Sequence, residues 1–388
     1  MEECTYAGGA ASVAFFIMAI SRRHFLHGAL AGSASLMTGP SLAGLGHGSP
    51  RRFGRRKGKL LVLGGTRFLG PHIVEEALAR GWEVTLFNRG RSNPKLFPDL
   101  EKLVGDRDGG LEALETGEWD AVIDTSGYVP RHVKDSAELL ADRVGQYVFI
   151  STMSVYAEDE EGSPQDESSP VAKLEHESVE QVTNETYGGL KALCEQAAEA
   201  AMPGRVSNIR PGLIVGPLDN SGRFTYWPWR VAKGGEVLAP GDPDARVQFI
   251  DARDLAAFCL HAIEAKVLGV YNANGPSMRL SMAELLYGCK VVLGADAQFT
   301  WIPDKELLEW GAGPWMELPL WIPADYTHGP AVIDKALAAG MTLRPVGDTI
   351  RDTAAWAVTA LDNPRTLGMS MKPEKEADLL LKWREAQS

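Results

Sequence analysis

The chain has 388 residues, 45% apolar and 23% charged, a composition that excludes a disordered or fibrous protein and suits one large α/β unit with a smaller lobe. The net charge of −12 understates the acidity of the body: from residue 59 onward 32 Lys and Arg face 49 Asp and Glu, about −17. Such a body repels phosphate backbones and argues against nucleic acid as a partner. Cys4, Cys194, Cys259 and Cys289 show no CxxC or Cys/His spacing, so no metal site or disulfide framework is expected.

In chain order, Ser21-Arg22-Arg23-His24-Phe25-Leu26 comes first, followed by a weakly apolar Gly/Ala/Ser-rich stretch to about Leu45. It resembles a twin-arginine export signal, which implies transient contact with the twin-arginine translocon and a periplasmic or extracellular destination. His27, Gly28, Gly32, Gly39 and Pro40 interrupt the apolar run before it reaches the roughly 20 residues of a membrane helix. Met18 is an alternative start that would leave residues 1–17 untranslated. Ser41-Leu42-Ala43 offers small residues for cleavage, giving a leader over 1–43 and a basic linker over 44–58.

Leu60-Leu61-Val62-Leu63 is a short apolar run suited to a buried parallel strand. Gly64-Gly65-Thr66-Arg67-Phe68-Leu69-Gly70 follows at once, and Ile73, Val74, Ala77 and Leu78 then recur at helical spacing until Gly81. A glycine turn between strand and helix lets backbone approach a pyrophosphate at a helix N-terminus. Val84-Thr85-Leu86-Phe87 completes a β-α-β unit, and the alternation continues through Val122-Ile123 and Tyr147-Val148-Phe149-Ile150. The fold class expected is α/β, a Rossmann-like doubly wound parallel sheet. At the end of the second strand, where an acid would accept the ribose 2′-hydroxyl of NAD, stand Asn88, Arg89 and Arg91. These favour NADP, with NAD the alternative.

Ser151-Thr152-Met153-Ser154 follows the fifth strand, and Tyr187 and Lys191 lie four residues apart on a predicted helix, on one face. An ammonium near a phenol favours tyrosinate, which would let Tyr187 act as general acid/base while Thr152 holds the substrate oxygen. Tyr-x-x-x-Lys alone arises often by chance; its place after the fifth strand raises its value.

Taken together these motifs resemble the extended short-chain dehydrogenases/reductases, the NAD(P)-dependent sugar epimerase/dehydratase superfamily, over roughly residues 59–360. Asn208-Ile209-Arg210-Pro211-Gly212 resembles that family's Arg-Pro segment, and Val247-Gln248-Phe249-Ile250-Asp251 its later strand-to-helix motif. The Gly-Gly-Thr-Arg-Phe-Leu-Gly and Asn-Arg-Gly elements resemble an atypical branch that includes plastid stem-loop-binding proteins, some without the catalytic pair. The resemblance implies a catalytic set of Thr152, Tyr187 and Lys191. It implies cofactor contacts from Gly64, Gly65, Thr66, Arg67, Phe68, Leu69, Gly70, Asn88, Arg89, Arg91, Asp106, Thr125, Ser126, Gly127, Ser151, Lys191 and Pro211. Arg67 departs from the family's middle glycine and could reach a phosphate with its fork of donors. Met153 and Ser154 stand where 4,6-dehydratases carry Asp-Glu, which disfavours water elimination.

The expected organisation is a nucleotide-binding domain over 59–212, a substrate lobe over 213–365 interleaved with the last sheet strands, and a tail over 366–388. Phe224, Tyr226, Trp227 and Trp229 could stack on a sugar or form a small core, with the core weighted higher. Arg230 and Arg246 could meet an anion, solvated arginines being commoner. Glu158 to Glu167 reads as a solvated charge run, and Ser281 with Glu284 as a helix capping box. The function expected is oxidoreductase or epimerase chemistry on a secondary alcohol or keto group of a small sugar-like substrate. The rival is a non-catalytic binding or scaffolding protein, RNA-binding included. A homodimer is the assembly common in the family.

Overall fold

The computed structural model describes residues 58–159, 162–219, 221–324, 329–360 and 367–388. The leader, the twin-arginine motif, the linker to residue 57 and Cys4 lie outside the described residues.

The nucleotide-binding half runs β1 (Lys59–Leu63), α1 (Leu69–Ala79), β2 (Glu83–Asn88), β3 (Glu101–Val104), β4 (Trp119–Asp124), α2 (Pro130–Leu140), β5 (Val144–Ile150), α3 (Asn184–Ala201) and β6 (Val206–Pro211). After β7 (Ile214–Val215), α4 (Tyr226–Ala232), β8 (Gly235–Pro240), β9 (Arg246–Val247) and β10 (Ile250–Asp251), the chain returns through α5 (Ala252–Ala265) to β11 (Gly269–Ala273). The remainder is β12 (Leu280–Ser281), α6 (Met282–Leu293), β13 (Ala297–Ile302), α7 (Asp304–Glu309), α8 (Asp334–Ala338), α9 (Val346–Ala360) and α10 (Pro373–Ala386).

Seven parallel strands form the main sheet in the order β11-β6-β5-β4-β1-β2-β3. Strand β1 shows why its sequence is apolar without alternation. Leu60 and Val62 enter one core with Ile73, Leu255 and Phe258, while Leu61 and Leu63 enter another with Val133, Phe149 and Met202. Each such side chain contributes roughly 1.5–3 kcal/mol by burial, so both faces must be covered. Helices α1 and α5 cover one face, α2 and α3 the other. The strand order reverses between β1 and β4, and at such a switch the loops beyond the strands' C-terminal ends part to leave a crevice.

The second lobe has its own core. Phe224, Tyr226, Trp227 and Trp321 are buried in it, with the Trp227 indole donating to Pro319 O at 2.6 Å and that of Trp321 to Asp304 Oδ1 at 2.7 Å. The aromatic cluster is therefore core, and Trp301, Trp310 and Trp315 pack against it. Residues 366–388, expected as a tail, contain α10. Its Leu379 and Leu380 are buried in that core, and its Glu376 binds Leu238 N and Arg230. Arg230 is thereby committed to structure, while Arg246 is exposed on β9.

The acidic run, expected to be solvated, is anchored at its end: Gln165 pairs with Pro330 and Val332 backbone, and Glu167 accepts the Asn272 N–H at 2.8 Å. Ser281 and Glu284 form the expected capping box of α6.

Candidate active site

The Gly-rich turn is built for close approach. Gly64 and Gly65 adopt φ of 112° and 86°, and a Cβ on Gly70 would lie 2.6 Å from Gly65 Cα, so α1 starts hard against the turn. No side chain caps α1, and the N–H groups of Phe68 and Leu69 have no partner among the described residues. Phe68 holds φ of 43°, unusual for a bulky residue, as the chain swings into the helix. Uncapped N–H groups at a helix start are donors for an anion. The turn is braced from β2 and beyond: Asn88 Nδ2 donates to Gly64 O at 3.1 Å and Asn93 Nδ2 to Thr66 O at 2.8 Å. Asn88 thus shapes the turn from the side; Asn93, which the sequence reading missed, does the same. On the facing loop Thr125 Oγ1 donates to Leu63 O at 2.9 Å. Arg89 and Arg91 are exposed at the rim, with Arg89 4.0 Å from Asp106.

Helix α3 begins with Thr183 and Thr186 in a reciprocal cap and carries Tyr187 and Lys191 inward, both nearly fully buried. Tyr187 is hydrogen-bonded to Thr152, whose Oγ1 also accepts Ser154 N–H at 3.1 Å. Lys191 Nζ donates to Gly127 O and Ile150 O, both at 2.7 Å, and sits 4.0 Å from the Phe149 ring centroid. Of its three donors, one is left for a ligand hydroxyl. Burial pulls this ammonium down to about 8. Burial, then Tyr128, push the Tyr187 phenol above its usual value, while Thr152 and Arg223 pull the other way. The spacing had pointed to Lys191 as the cation near the phenol; its ammonium is turned to two carbonyls, and Arg223 also lowers the phenol through space.

The sequence and the fold are similar to those of known proteins. Residues 60–273, β1 through β11, match the model of the NAD dependent epimerase/dehydratase family. The chain belongs to the NAD dependent epimerase/dehydratase family. It is 26% identical over 241 residues to the chloroplast stem-loop binding protein of 41 kDa b from Arabidopsis thaliana, a match covering 56% of this chain and 58% of that one. It is 25% identical over 271 residues to a ceramide reductase from Caulobacter vibrioides, covering 66% and 77%. The UDP-glucose 4-epimerase of Thermus thermophilus, solved in complex with NAD, superposes with a TM-score of 0.56 at 21% identity, over 78% of this chain and all of that one. That likeness shows the fold.

Within the epimerase/dehydratase fold, two buried ionic networks support the site from below. Arg107 reaches both Asp124 oxygens at 2.6 and 2.7 Å, with Tyr147 OH on Asp124 Oδ2 at 2.7 Å. Burial pushes the Asp124 carboxyl up, but Arg107, the Ser126 N–H and Tyr147 outweigh it and hold it below the usual range. Asp124 precedes the loop whose Gly127 carbonyl anchors Lys191. In the second network Ser151 Oγ donates to Glu195 at 2.5 Å, and Glu195 is held by Arg210 at 2.9 and 2.6 Å. Glu195 lies one turn beyond Lys191, so this network ties α3 to β5 and β6. Pro211 ends β6 beside Ala273.

The residues fit a nicotinamide dinucleotide. Glycines that a Cβ would block, an uncapped helix start and a buried ammonium with a spare donor are what such a group needs.

Proposed function

We propose that the protein is a nicotinamide-dinucleotide-dependent oxidoreductase or epimerase acting on a secondary alcohol or keto group of a small sugar-like substrate. The observation that carries this is Tyr187, a buried phenol bonded to Thr152 beside Lys191, at the sheet edge that holds the Gly-rich turn. When bound, the nicotinamide supplies or takes the hydride. The chain's residues do the rest. The Gly64–Gly70 turn seats the phosphates, Lys191 anchors a ribose hydroxyl, and Thr152 with Tyr187 holds the substrate oxygen. The phenol, protonated at neutral pH, gives its proton to a carbonyl oxygen or recovers it from an alcohol.

NADP is the preferred form in this reading, supported by the absence of an acid at the end of β2 and by Arg89 and Arg91 there. Export by the twin-arginine route belongs to it too, supported by Ser21-Arg22-Arg23; lysines at Arg22 and Arg23 should retain the precursor inside cells. Outside the cytoplasm no pool of free nucleotide is expected, so a cofactor held tightly and restored each turnover, as in an epimerase, suits that destination.

Two measurements test the proposal. Denatured mature protein should release a nicotinamide nucleotide, whose identity separates NADP from NAD. In loaded protein Tyr187→Phe should lower turnover by roughly 10² or more while nucleotide content is kept. Full activity in that variant would end the catalytic assignment, and protein that neither carries nor binds the nucleotide would end the cofactor assignment.

A further inference from the structure

The turn after β5 brings a second hydroxyl to the phenol. Thr152 Oγ1, the group bonded to Tyr187, also donates to Ser154 Oγ at 3.3 Å and accepts the Ser154 N–H at 3.1 Å. Three hydroxyls therefore stand in a row, from the buried Tyr187 through the buried Thr152 to the half-buried Ser154. Ser154 Oγ has no further hydrogen-bond partner among the described residues, which leaves its own proton for solvent. The closeness is built in. A Cβ on Gly188 of α3 would lie 2.1 Å from Ser154 O, so that glycine lets the turn rest against the helix that carries Tyr187. From the other side Ala172 N–H donates to Val155 O at 2.7 Å and holds the turn in place.

A hydroxyl has one proton to give and two positions at which it accepts. The Ser154 N–H fills one accepting position of Thr152, so the other serves either Tyr187 or Ser154. The two side-chain bonds of Thr152 must then run in the same direction along the row. While Tyr187 keeps its proton, it donates to Thr152 and Thr152 donates to Ser154, the direction seen here. Once Tyr187 has lost the proton, both bonds reverse and the row points at the phenolate oxygen.

We propose that Ser154 is the outer link of a proton relay, Ser154–Thr152–Tyr187, that exchanges the Tyr187 proton with solvent. The inference rests on the reading of Tyr187 as acid and base. In a reduction the carbonyl carbon gains the hydride, its oxygen takes the Tyr187 proton, and the Tyr187 O–H bond breaks. Thr152 then passes its proton to Tyr187, Ser154 passes its own to Thr152, and water passes one to Ser154, leaving one hydroxide in solvent. Oxidation of an alcohol runs each step backward. An epimerisation takes back the proton it lends, so the relay serves net oxidation or reduction. Ser154 touches no reacting atom and acts through Thr152.

The exchange is measurable without substrate or nucleotide. In the full mature chain, labelled with carbon-13 at tyrosine Cζ and kept in equal parts of light and heavy water, the hydroxyl isotope splits each Cζ signal. Exchange spectroscopy then gives the rate at which the Tyr187 hydroxyl trades with solvent, and Tyr187→Phe identifies its signal. Ser154→Ala should slow that rate about tenfold, the worth of one hydrogen-bonding partner. Ser154→Thr, which keeps the hydroxyl, should exchange as the parent does. A serine that merely braced the turn would loosen it on removal and speed the exchange, the opposite sign. A parent signal averaged by fast exchange that splits in Ser154→Ala supports the relay equally. Equal or faster exchange in Ser154→Ala, or slowing by Ser154→Thr as large as by Ser154→Ala, overturns it. The turnover of Tyr187→Phe judges the phenol itself, so the relay and the reading beneath it fail separately.

Discussion

Lys191 carries an energetic signature that its hydrogen bonds alone do not reveal. Its ammonium accepts burial for two carbonyl contacts, and its folded value of about 8 lies below the ordinary 10.5. A base depressed in this way destabilises the fold at every pH below about 8. The penalty fades as pH rises toward the unfolded value, because the unfolded chain then holds the proton that the native state has released. The shift corresponds to about 3 kcal/mol. Urea unfolding of the parent and Lys191→Met between about pH 7.5 and 10.5 isolates it from the tyrosines and cysteines that titrate in both. The stability difference should move in favour of the parent by up to about 3 kcal/mol across that window. Parallel curves would mean that the ammonium is not desolvated. Asp124 has the opposite sign: held low by Arg107, it contributes stability above the ordinary carboxylate range that is lost on acidification.

At the level of the element, α3 shows how a helix gives up propensity for position. It carries Gly188 and Gly189 in its interior, at a cost of roughly 0.5–1 kcal/mol each relative to alanine. A Cβ on Gly188 would overlap the Ser154 carbonyl, in the turn that holds Thr152, whereas one on Gly189 would press on Cδ2 and Cγ of the Leu174 side chain at 2.6 and 2.7 Å. Backbone cannot yield as a leucine rotamer can. Gly188→Ala should therefore lose about 1–2 kcal/mol net, overpacking exceeding the propensity gain. It should also cut turnover sharply, since displacing Thr152 by about 1 Å can cost roughly 10²-fold. Gly189→Ala, which presses on a side chain and not on backbone, should lose less in both. Thermal melts and initial rates decide, and an active, stable Gly188→Ala would remove the reason given for that glycine. The same helix marks what was legible in the sequence. Tyr187 and Lys191 announce themselves by a spacing of four, and the 64–70 turn by the strand and helix that flank it. Ser151, Glu195 and Arg210 do not, because their network exists once β5, α3 and β6 are laid side by side. The helical pattern of α10 was readable in Leu379-Leu380 after Pro373, yet its docking on β8 depends on Arg230 and Leu238 far upstream.

For the whole molecule, charge separates the two function classes. A relative carries a stem-loop-binding name, and the match spans 58% of that protein. RNA binding without sequence readout depends on cations that displace counterions from successive phosphates. From residue 59 onward the chain is about −17, and its clusters of arginine are interleaved with acids. The cleft of about 800 Å³ at the N-terminal edge of the main sheet is an example: Lys59, Arg143 and Arg205 line it against Glu118, Asp120 and Asp142. A labelled stem-loop RNA titrated with mature protein at about 0.15 M salt should accordingly bind no tighter than roughly 10 µM, within the range of non-specific contact. Sub-micromolar binding that persists at this salt would require a basic track, which the described residues do not display, and would favour the scaffolding class over the enzyme.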